Sequence, residues 1–125
     1  MVNKTSEIII IHFLGLPKVY ISGNLTRKLK YRQKNVSIIC FGDGYPNPKA
    51  TWKLNGNEIY TWMNTSNRDV YQKVITNVPD LNNVSSTLYF NQTGAKFNNS
   101  GNYTCEVSIE SAPDIDDKTI EVICK

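Results

Sequence analysis

The chain has 125 residues, a formal net charge of +3 at pH 7 and a hydrophobic content of 40%. This length favours one domain with a small core. The hydrophobic content is too high for a disordered tail and too low for a bundle of membrane helices, and the mild positive charge gives no indication of nucleic-acid binding.

The first apolar run, IIIIHFLGL at residues 8–16, is too short to cross a bilayer. Lys4 and Glu7 precede it and no small-residue cleavage site follows it, so a first strand or a linker is favoured over the core of a signal peptide. We therefore expect residues 1–16 to be a leader or linker that can contain the first strand, and residues 17–124 to form the domain. His12, the single histidine, is expected to pack within the run.

Beyond this run, short stretches rich in β-branched and aromatic residues recur about every ten positions, and helical periodicity is nearly absent. The predicted strands are, in chain order, PKVYIS, NVSIICF, KATWKL, EIYTWM, DVYQKVI, SSTLYF, NYTCEVSI and KTIEVIC. The stretch GDGYPNP at residues 42–48 is rich in glycine and proline and is expected to be a loop. Asn55 and Gly56 predict a tight turn between two strands.

Alternation places a cysteine on an apolar face in two of these strands. The two faces are Val36, Ile38 and Cys40, and Tyr103, Cys105, Val107 and Ile109. Cys124 is the third cysteine, and in a secreted chain an odd count indicates one pair and one thiol left over. The cysteines form no Cys-x-x-Cys motif and no cluster with histidine, so no metal site or other cofactor is predicted.

The segments VSIIC, GYPNP, TWKLNGNEI and NNSGNYTCEV resemble the immunoglobulin superfamily over about residues 17–124. The proline-rich loop before the tryptophan strand is most similar to the intermediate set of that superfamily. The resemblance implies an all-β fold: a two-sheet antiparallel Greek-key sandwich with one inter-sheet disulfide between Cys40 and Cys105. It also implies that Trp52 packs over the bridge and that the Tyr103 hydroxyl binds a backbone group at the preceding corner.

Two features depart from the pattern of the superfamily. Asn99 stands where an aspartate is usual, so a salt bridge from an arginine such as Arg68 is reduced to at most a hydrogen bond. The stretch YFNQTGAKF fits an insertion of about two residues before Tyr103. The first departure affects the electrostatics of the corner before Tyr103. The second affects the assignment to the intermediate set. Neither departure changes the predicted fold.

Eight Asn-x-Ser/Thr sequons occur, which is more than the composition alone predicts. An AT-rich genome would explain the many asparagines but not their spacing to serine and threonine. Because a sequon accepts a glycan only in a secreted chain, the pattern predicts an extracellular glycoprotein, either secreted or the ectodomain of a membrane protein. The acceptor asparagines are Asn3, Asn24, Asn35, Asn64, Asn83, Asn91, Asn98 and Asn102.

The run TRKLKYRQK is the strongest candidate for a binding surface. Its alternating cations are Lys28, Lys30, Arg32 and Lys34. If the run is a strand, these cations line one face and Leu29 and Tyr31 line the other. Such a stripe suits a sulfated glycan or an acidic protein patch. The favoured alternative is a solvated edge strand whose lysines prevent edge-to-edge aggregation.

Two further features have a functional and a structural interpretation each. Cys124 either forms a disulfide to a second copy or a neighbouring domain, which would give a disulfide-linked dimer, or packs inward as a small apolar residue. The aromatic residues after the Asn-Gly turn are either a binding hot spot or, as we favour, a half-buried sheet face. They are Tyr60, Trp62, Met63 and Tyr71.

Support for catalysis is weak, and we predict that the protein is not an enzyme. A single histidine cannot assemble a Ser-His-Asp triad or a zinc–histidine site. The acidic run with Asp114, Asp116 and Asp117 lacks the glycine and closing glutamate of an EF-hand loop. We therefore expect it to be a solvated loop between the last two strands and not a calcium site.

The resemblance implies a binding module that acts by protein–protein recognition, with a separate protein ligand or a homophilic partner. The module is expected to be one extracellular domain of a cell-surface receptor or adhesion protein. The alternative is a secreted single-domain decoy or cytokine-binding protein, and a third class is a structural spacer between other domains. Because immunoglobulin sandwiches host many functions, the fold by itself does not choose among these classes.

Overall fold

The computed structural model of the protein describes residues 15–61, 70–76, 82–90, 93–110 and 112–125. In these ranges the chain forms strands in two sheets and a short 3-10 helix, Phe97–Asn99. The strands are β1 (Gly15–Ile21), β2 (Thr26–Leu29), β3 (Ser37–Tyr45), β4 (Lys49–Leu54), β5 (Asn57–Glu58), β6 (Tyr71–Thr76), β7 (Asn83–Tyr89), β8 (Gly101–Ile109) and β9 (Ala112–Cys124). Residues 1–14, including His12, lie outside the described residues.

The strands form a four-stranded sheet in the order β1-β3-β7-β6 and a five-stranded sheet in the order β2-β9-β8-β4-β5. β2 pairs with β9 in parallel, and the other strand pairs of the described chain are antiparallel. Because β1 and β2 join different sheets, the chain crosses from one sheet to the other at residues 22–25. The predicted two-sheet all-β sandwich is confirmed, with one parallel edge pair that the sequence did not predict.

The core lies between the two sheets and is built by the alternation seen in the sequence. β3 buries every second residue from Ile38, and β8 does so from Tyr103 to Ile109. Cys40 on β3 and Cys105 on β8 form the predicted disulfide, with Cα atoms 6.5 Å apart. By the chain-entropy model, closing this loop of 65 residues stabilises the fold by about 4 kcal/mol. Trp52 is fully buried beside the bridge, as the resemblance implied.

The corner before β8 is held by hydrogen bonds of Asn99. The Tyr103 hydroxyl donates to the Asn99 carbonyl oxygen at 2.6 Å, which is the backbone contact expected for this tyrosine. The side-chain oxygen of Asn99 accepts from the backbone N–H of Lys96 at 2.7 Å. Asn99 therefore closes the corner as a neutral residue. Arg68, which the sequence suggested as its partner, lies outside the described residues.

The prediction that residues 42–48 form a loop is wrong for most of that stretch, because β3 continues to Tyr45. Gly42 and Gly44 are buried in this strand and let β8 approach closely. A Cβ atom on Gly42 would lie 2.8 Å from Val107 Cγ2, and one on Gly44 would lie 2.5 Å from Ile109 Cγ2. The glycines therefore serve close packing between the sheets, and the connection to β4 is reduced to residues 46–48.

Two strand boundaries also differ from the prediction. The tight turn is confirmed by positive φ angles of 50° at Asn55 and 89° at Gly56, but the returning strand β5 contains only two residues. β9 begins at Ala112, so the acidic run lies in a strand and not in a loop. The backbone of this run pairs with β8, and Asp116 Oδ2 also accepts a hydrogen bond from the backbone N–H of Val19 on edge strand β1, at 2.9 Å.

Candidate functional site

The basic run does not form the predicted stripe. β2 ends at Leu29, and the chain then turns at Tyr31 and Arg32, where Arg32 has a φ angle of 69°. Only Lys28 of the four alternating cations lies in a strand. Leu29 is buried but Tyr31 is exposed, so the two do not share an apolar face.

The turn is stabilised by hydrogen bonds within the run and to the corner before β8. The backbone N–H of Gln33 donates to the Lys30 carbonyl oxygen at 2.9 Å. Arg32 and Gln33 exchange backbone hydrogen bonds with Ala95, at 2.7 and 2.8 Å. Neighbouring Gly94 allows this approach, since a Cβ atom there would lie 2.6 Å from the Arg32 carbonyl oxygen. These contacts fix the backbone of the basic run at one end of the sandwich.

The C-terminal end of β9 adds a further cation to this end of the molecule. Lys125 accepts a backbone hydrogen bond from Tyr31 at 2.9 Å and donates one to Leu29 at 3.1 Å. The Tyr31 ring stacks on Phe97 with ring centroids 4.5 Å apart, and the Arg32 guanidinium lies 5.3 Å from the Tyr31 centroid. We call the resulting exposed surface the basic pole. It consists of Lys28, Lys30, Arg32, Lys34 and Lys125.

An open groove of about 460 Å³ adjoins the basic pole between β2 and the start of β3. Lys28, Gln33 and Asn35 are among its lining residues. Arg27 also lines it, but its guanidinium donates to the carbonyl oxygens of Ser22 and Asn24, so it holds the loop before β2. The groove is therefore mainly polar, which suits sulfate or carboxylate groups better than an apolar ligand.

The described sequons lie on the surface at several places. Asn24 and Asn35 are exposed on either side of the basic run, and Asn98 is exposed beside Phe97. Asn83 is the first residue of β7, and Asn102 is exposed near the start of β8. The acceptors Asn3, Asn64 and Asn91 lie outside the described residues.

A second exposed surface was not among the sequence candidates. Tyr20, Ile39, Phe41 and Ile75 project outward from the four-stranded sheet with 41–57% of each side chain exposed. The signal in the sequence was the strand NVSIICF, which has large apolar residues on both of its faces. We call these four residues the apolar outer face.

Two residues of the aromatic cluster predicted after the Asn-Gly turn are described, and they lie on neighbouring segments, since the Tyr60 carbonyl oxygen accepts a hydrogen bond from the backbone N–H of Gln72 at 2.9 Å. Tyr60 follows β5 in the chain and is 49% exposed. Tyr71 lies on β6 of the four-stranded sheet and stacks on Tyr89, with ring centroids 5.1 Å apart. Trp62 and Met63 lie outside the described residues.

Cys124 is a free thiol at the end of β9, and only 6% of it is exposed. Its backbone N–H donates to Ser100 Oγ at 2.9 Å, and its side chain packs with the core. This burial supports the interpretation of Cys124 as an inward apolar residue.

Asp116 is engaged with β1, and among the described residues no group of three or more His, Cys, Asp and Glu side chains is placed to hold a metal ion. The part of the chain that the structure describes contains no helix that is long and apolar enough to span a membrane.

The comparisons with known proteins agree with this architecture. The sequence pattern of the family described as "Immunoglobulin domain" matches residues 17–108. The chain therefore belongs to the immunoglobulin domain family, whose members commonly mediate protein–protein recognition and are generally non-catalytic. A search of curated proteins found no match to the chain.

Solved immunoglobulin structures share the fold at low sequence identity. A crystal structure of Rst D1-D2 is 21% identical with a TM-score of 0.57, and the alignment covers 90% of this chain and 49% of that one. The chain thus spans about half the length of that structure. A complex of titin M10 with an obscurin-like 1 Ig domain is 15% identical with a TM-score of 0.54, covering 89% of this chain and 96% of the other. A variant of titin domains I67–I69 is 16% identical with a TM-score of 0.54, covering 87% and 32%.

Proposed function

We propose that this chain is an extracellular binding module of a cell-surface receptor or adhesion protein, and that it recognises an acidic surface of another protein through the basic pole. The family supports a role in protein recognition. The Cys40–Cys105 disulfide supports an oxidising compartment, since structural disulfides persist mainly outside the cytosol. The surface positions of the described sequons are those that glycans require.

The observation that carries this proposal is the convergence of separate chain segments on the basic pole. The turn after β2 and the end of β9 are joined by backbone hydrogen bonds, which bring exposed cations from both segments to one end of the sandwich. Such a surface raises the association rate with an acidic partner, and the attraction weakens as salt is added. Contact between the poles of two copies is disfavoured by like-charge repulsion, so the partner at this surface is a different molecule.

The surface that binds the basic pole is expected to be negatively charged. A sulfated glycan carries the same kind of charge as an acidic protein patch. Heparin is therefore a practical first probe. We expect the chain to be retained on a heparin column, and Lys28→Glu with Lys30→Glu to elute at clearly lower salt. Lys49→Glu with Lys118→Glu is the matched control, because it changes the net charge equally at exposed positions away from the pole.

The control should elute closer to the unchanged protein than the pole variant does. Equal shifts in both variants would show that net charge alone is responsible, and an unchanged elution of the pole variant would remove the proposed surface. The same pair of variants then tests binding to candidate acidic proteins, where a weaker salt dependence is expected for the pole variant only.

A further inference from the structure

The apolar outer face forms a row across the four-stranded sheet. Tyr20 on β1 is paired with Phe41 on β3, Phe41 with Ser85 on β7, and Ser85 with Ile75 on β6. Phe41 is 45% exposed and Ile75 is 57% exposed. Ser85 separates Phe41 from Ile75, so the exposed apolar side chains stand on both sides of a polar strand. Large exposed apolar side chains grouped on one sheet face mark an interaction site or an aggregation hazard.

The small residues of β7 turn this row into a trough. The outward positions of β7 are Asn83, Ser85, Thr87 and Tyr89, since Val84, Ser86 and Leu88 face the core. Ser85 and Thr87 form the floor, Phe41 and Ile39 form one wall, and Ile75 and the exposed Lys73 lie on the other. With strands about 4.8 Å apart, the walls lie about 10 Å from each other.

One end of the trough carries a glycan acceptor. Asn83 begins the sequon Asn83-Val84-Ser85, so the asparagine and the serine that define the sequon lie on the outer face together. Asn83 is half-buried, and its Nδ2 donates an exposed hydrogen bond to Asn82 Oδ1 at 3.3 Å. Successive outward positions on one strand are about 7 Å apart, so a sugar attached to Asn83 reaches Ser85 and a second sugar approaches Thr87.

We propose that Asn83 carries an N-linked glycan whose first sugars lie in this trough and cover the apolar outer face. In the transfer step, Nδ2 of Asn83 forms a C–N bond with the anomeric carbon of a lipid-pyrophosphate-linked oligosaccharide. The bond from that carbon to the pyrophosphate oxygen breaks, the lipid pyrophosphate leaves with the electron pair, and the amide nitrogen loses one proton. This inference rests on the proposed extracellular function, because the step occurs only in the secretory pathway.

A glycan fits the trough better than a protein partner does. One face of a pyranose ring presents C–H groups, which pack on aromatic and aliphatic side chains and are attracted to the negative face of a ring such as Phe41. The hydroxyl groups of the sugar remain toward water, so the covered face becomes hydrophilic. A protein docking on the same face would have to accommodate a sequon at the end of the trough. Masking this face also leaves the basic pole, at the other end of β7, available for recognition.

The first test measures which sequons are occupied when the whole chain is secreted from animal cells. Glycopeptide mass spectrometry is expected to find sugar on Asn83. Ser85→Ala should remove that sugar while Asn83 stays in place, and Ser85→Thr should keep it, because threonine preserves the sequon. A secreted chain with sugar on Asn102 and none on Asn83 would overturn the proposal.

The second test measures whether the sugar covers the apolar face. Loss of the Asn83 glycan, by Ser85→Ala or Asn83→Gln, should give a several-fold rise in the fluorescence of a bound hydrophobic dye and a rise in self-association by light scattering. Asn102→Gln removes an acceptor on the other sheet and should change neither. Adding Phe41→Thr and Ile75→Thr to Asn83→Gln should return the dye signal to its original level.

Equal dye binding with and without the Asn83 glycan would overturn the masking role. If a variant misfolds, unchanged protein treated under native conditions with an amidase that removes the whole glycan gives the comparison on a correctly folded chain. These outcomes are distinct from failure of the proposed function. That function would fail if the natural protein carried no glycan at any sequon, or if pole variants bound acidic partners as the unchanged protein does.

Discussion

The side-chain oxygen of Gln72 accepts a hydrogen bond from the backbone N–H of Trp52, at 2.9 Å, in the middle of the core. Gln72 belongs to the four-stranded sheet and Trp52 to the five-stranded sheet, so a side chain replaces a backbone partner across the sandwich. The same oxygen accepts from Ser86 Oγ at 3.1 Å, and Gln72 Nε2 donates to the Ile59 carbonyl oxygen at 2.8 Å. The Trp52 indole N–H donates to the Ser86 carbonyl oxygen at 2.8 Å. Every polar group of this buried network has a partner, which is the condition under which such a network stabilises a fold.

Replacing Gln72 with leucine is expected to lower the free energy of unfolding by at least about 2 kcal/mol, because it leaves buried donors and an acceptor without partners. Urea unfolding followed by tryptophan fluorescence measures the change. Gln33→Leu is the control, since Gln33 is an exposed glutamine whose side chain accepts one backbone hydrogen bond, from Lys30. A loss at Gln72 no larger than that at Gln33 would contradict the importance of the network.

Tyr103→Phe is expected to destabilise the fold by about 1–3 kcal/mol, because the Asn99 carbonyl oxygen loses its hydroxyl donor in a buried corner. Tyr20→Phe is the matched control on an exposed tyrosine, and it should stay within about 0.5 kcal/mol of the unchanged protein. Thermal unfolding by circular dichroism separates the two. Similar stabilities for both variants would show that the corner does not depend on the hydroxyl.

Alkaline pH is expected to destabilise the protein through the same tyrosine. Burial raises the pKa of Tyr103 from 10.0 to about 12, because the folded environment disfavours the phenolate. The contribution of the neutral hydroxyl is therefore fully present below pH 10 and is lost as the pH rises from 10 to 12. The free energy of unfolding should fall as the pH rises from 10 to 12, and it should fall less steeply in Tyr103→Phe. An identical slope in both proteins would assign the effect to other groups.

Gly42→Ala is expected to lower stability by about 1–3 kcal/mol through overpacking, since the added methyl would lie 2.8 Å from Val107 Cγ2. Combining it with Val107→Ala should recover part of the loss, because the smaller side chain makes room for the new methyl. A double-mutant cycle by chemical unfolding measures this coupling. If the free-energy changes of Gly42→Ala and Val107→Ala simply add, the new methyl does not clash with Val107 and the strand accommodates it by shifting.

Cys124 is expected to react slowly with a maleimide in the folded protein and completely after unfolding, because its side chain is buried. A non-reducing gel of the secreted chain should accordingly show monomer, and Cys124→Ala should migrate in the same way. A band of twice the mass that disappears on reduction, and is absent in Cys124→Ala, would instead establish the disulfide-linked dimer that the sequence left open.

The basic run illustrates how far the sequence could predict the candidate site. The alternation of Lys28, Lys30 and Arg32 with Leu29 and Tyr31 has the period of a strand, and a strand was the natural prediction. The chain turns instead, because the backbone of Arg32 pairs with Ala95 and Gly94 leaves room for it. Those partners lie more than sixty positions further along the chain, so local periodicity could not reveal them.

The core was predictable for the opposite reason. Alternating burial in β3 and β8, the disulfide between them and the partner of the Tyr103 hydroxyl all follow from short patterns and their spacing in a known family. The apolar outer face was visible only as unexplained large residues on the second face of β3. Its width and its relation to Asn83 depend on which strands are neighbours.

The amino-acid sequence by itself determined which residues face the core, because a period of two residues specifies this locally, and its resemblance to a known family implied which cysteines pair and which corner the tyrosine closes. The tertiary structure alone decided where the cations gather, which buried atom Gln72 satisfies and which acceptor asparagine lies beside the exposed apolar row. These relationships join segments that are distant in the chain, and they arise only when the two sheets pack and bring their edges and corners together.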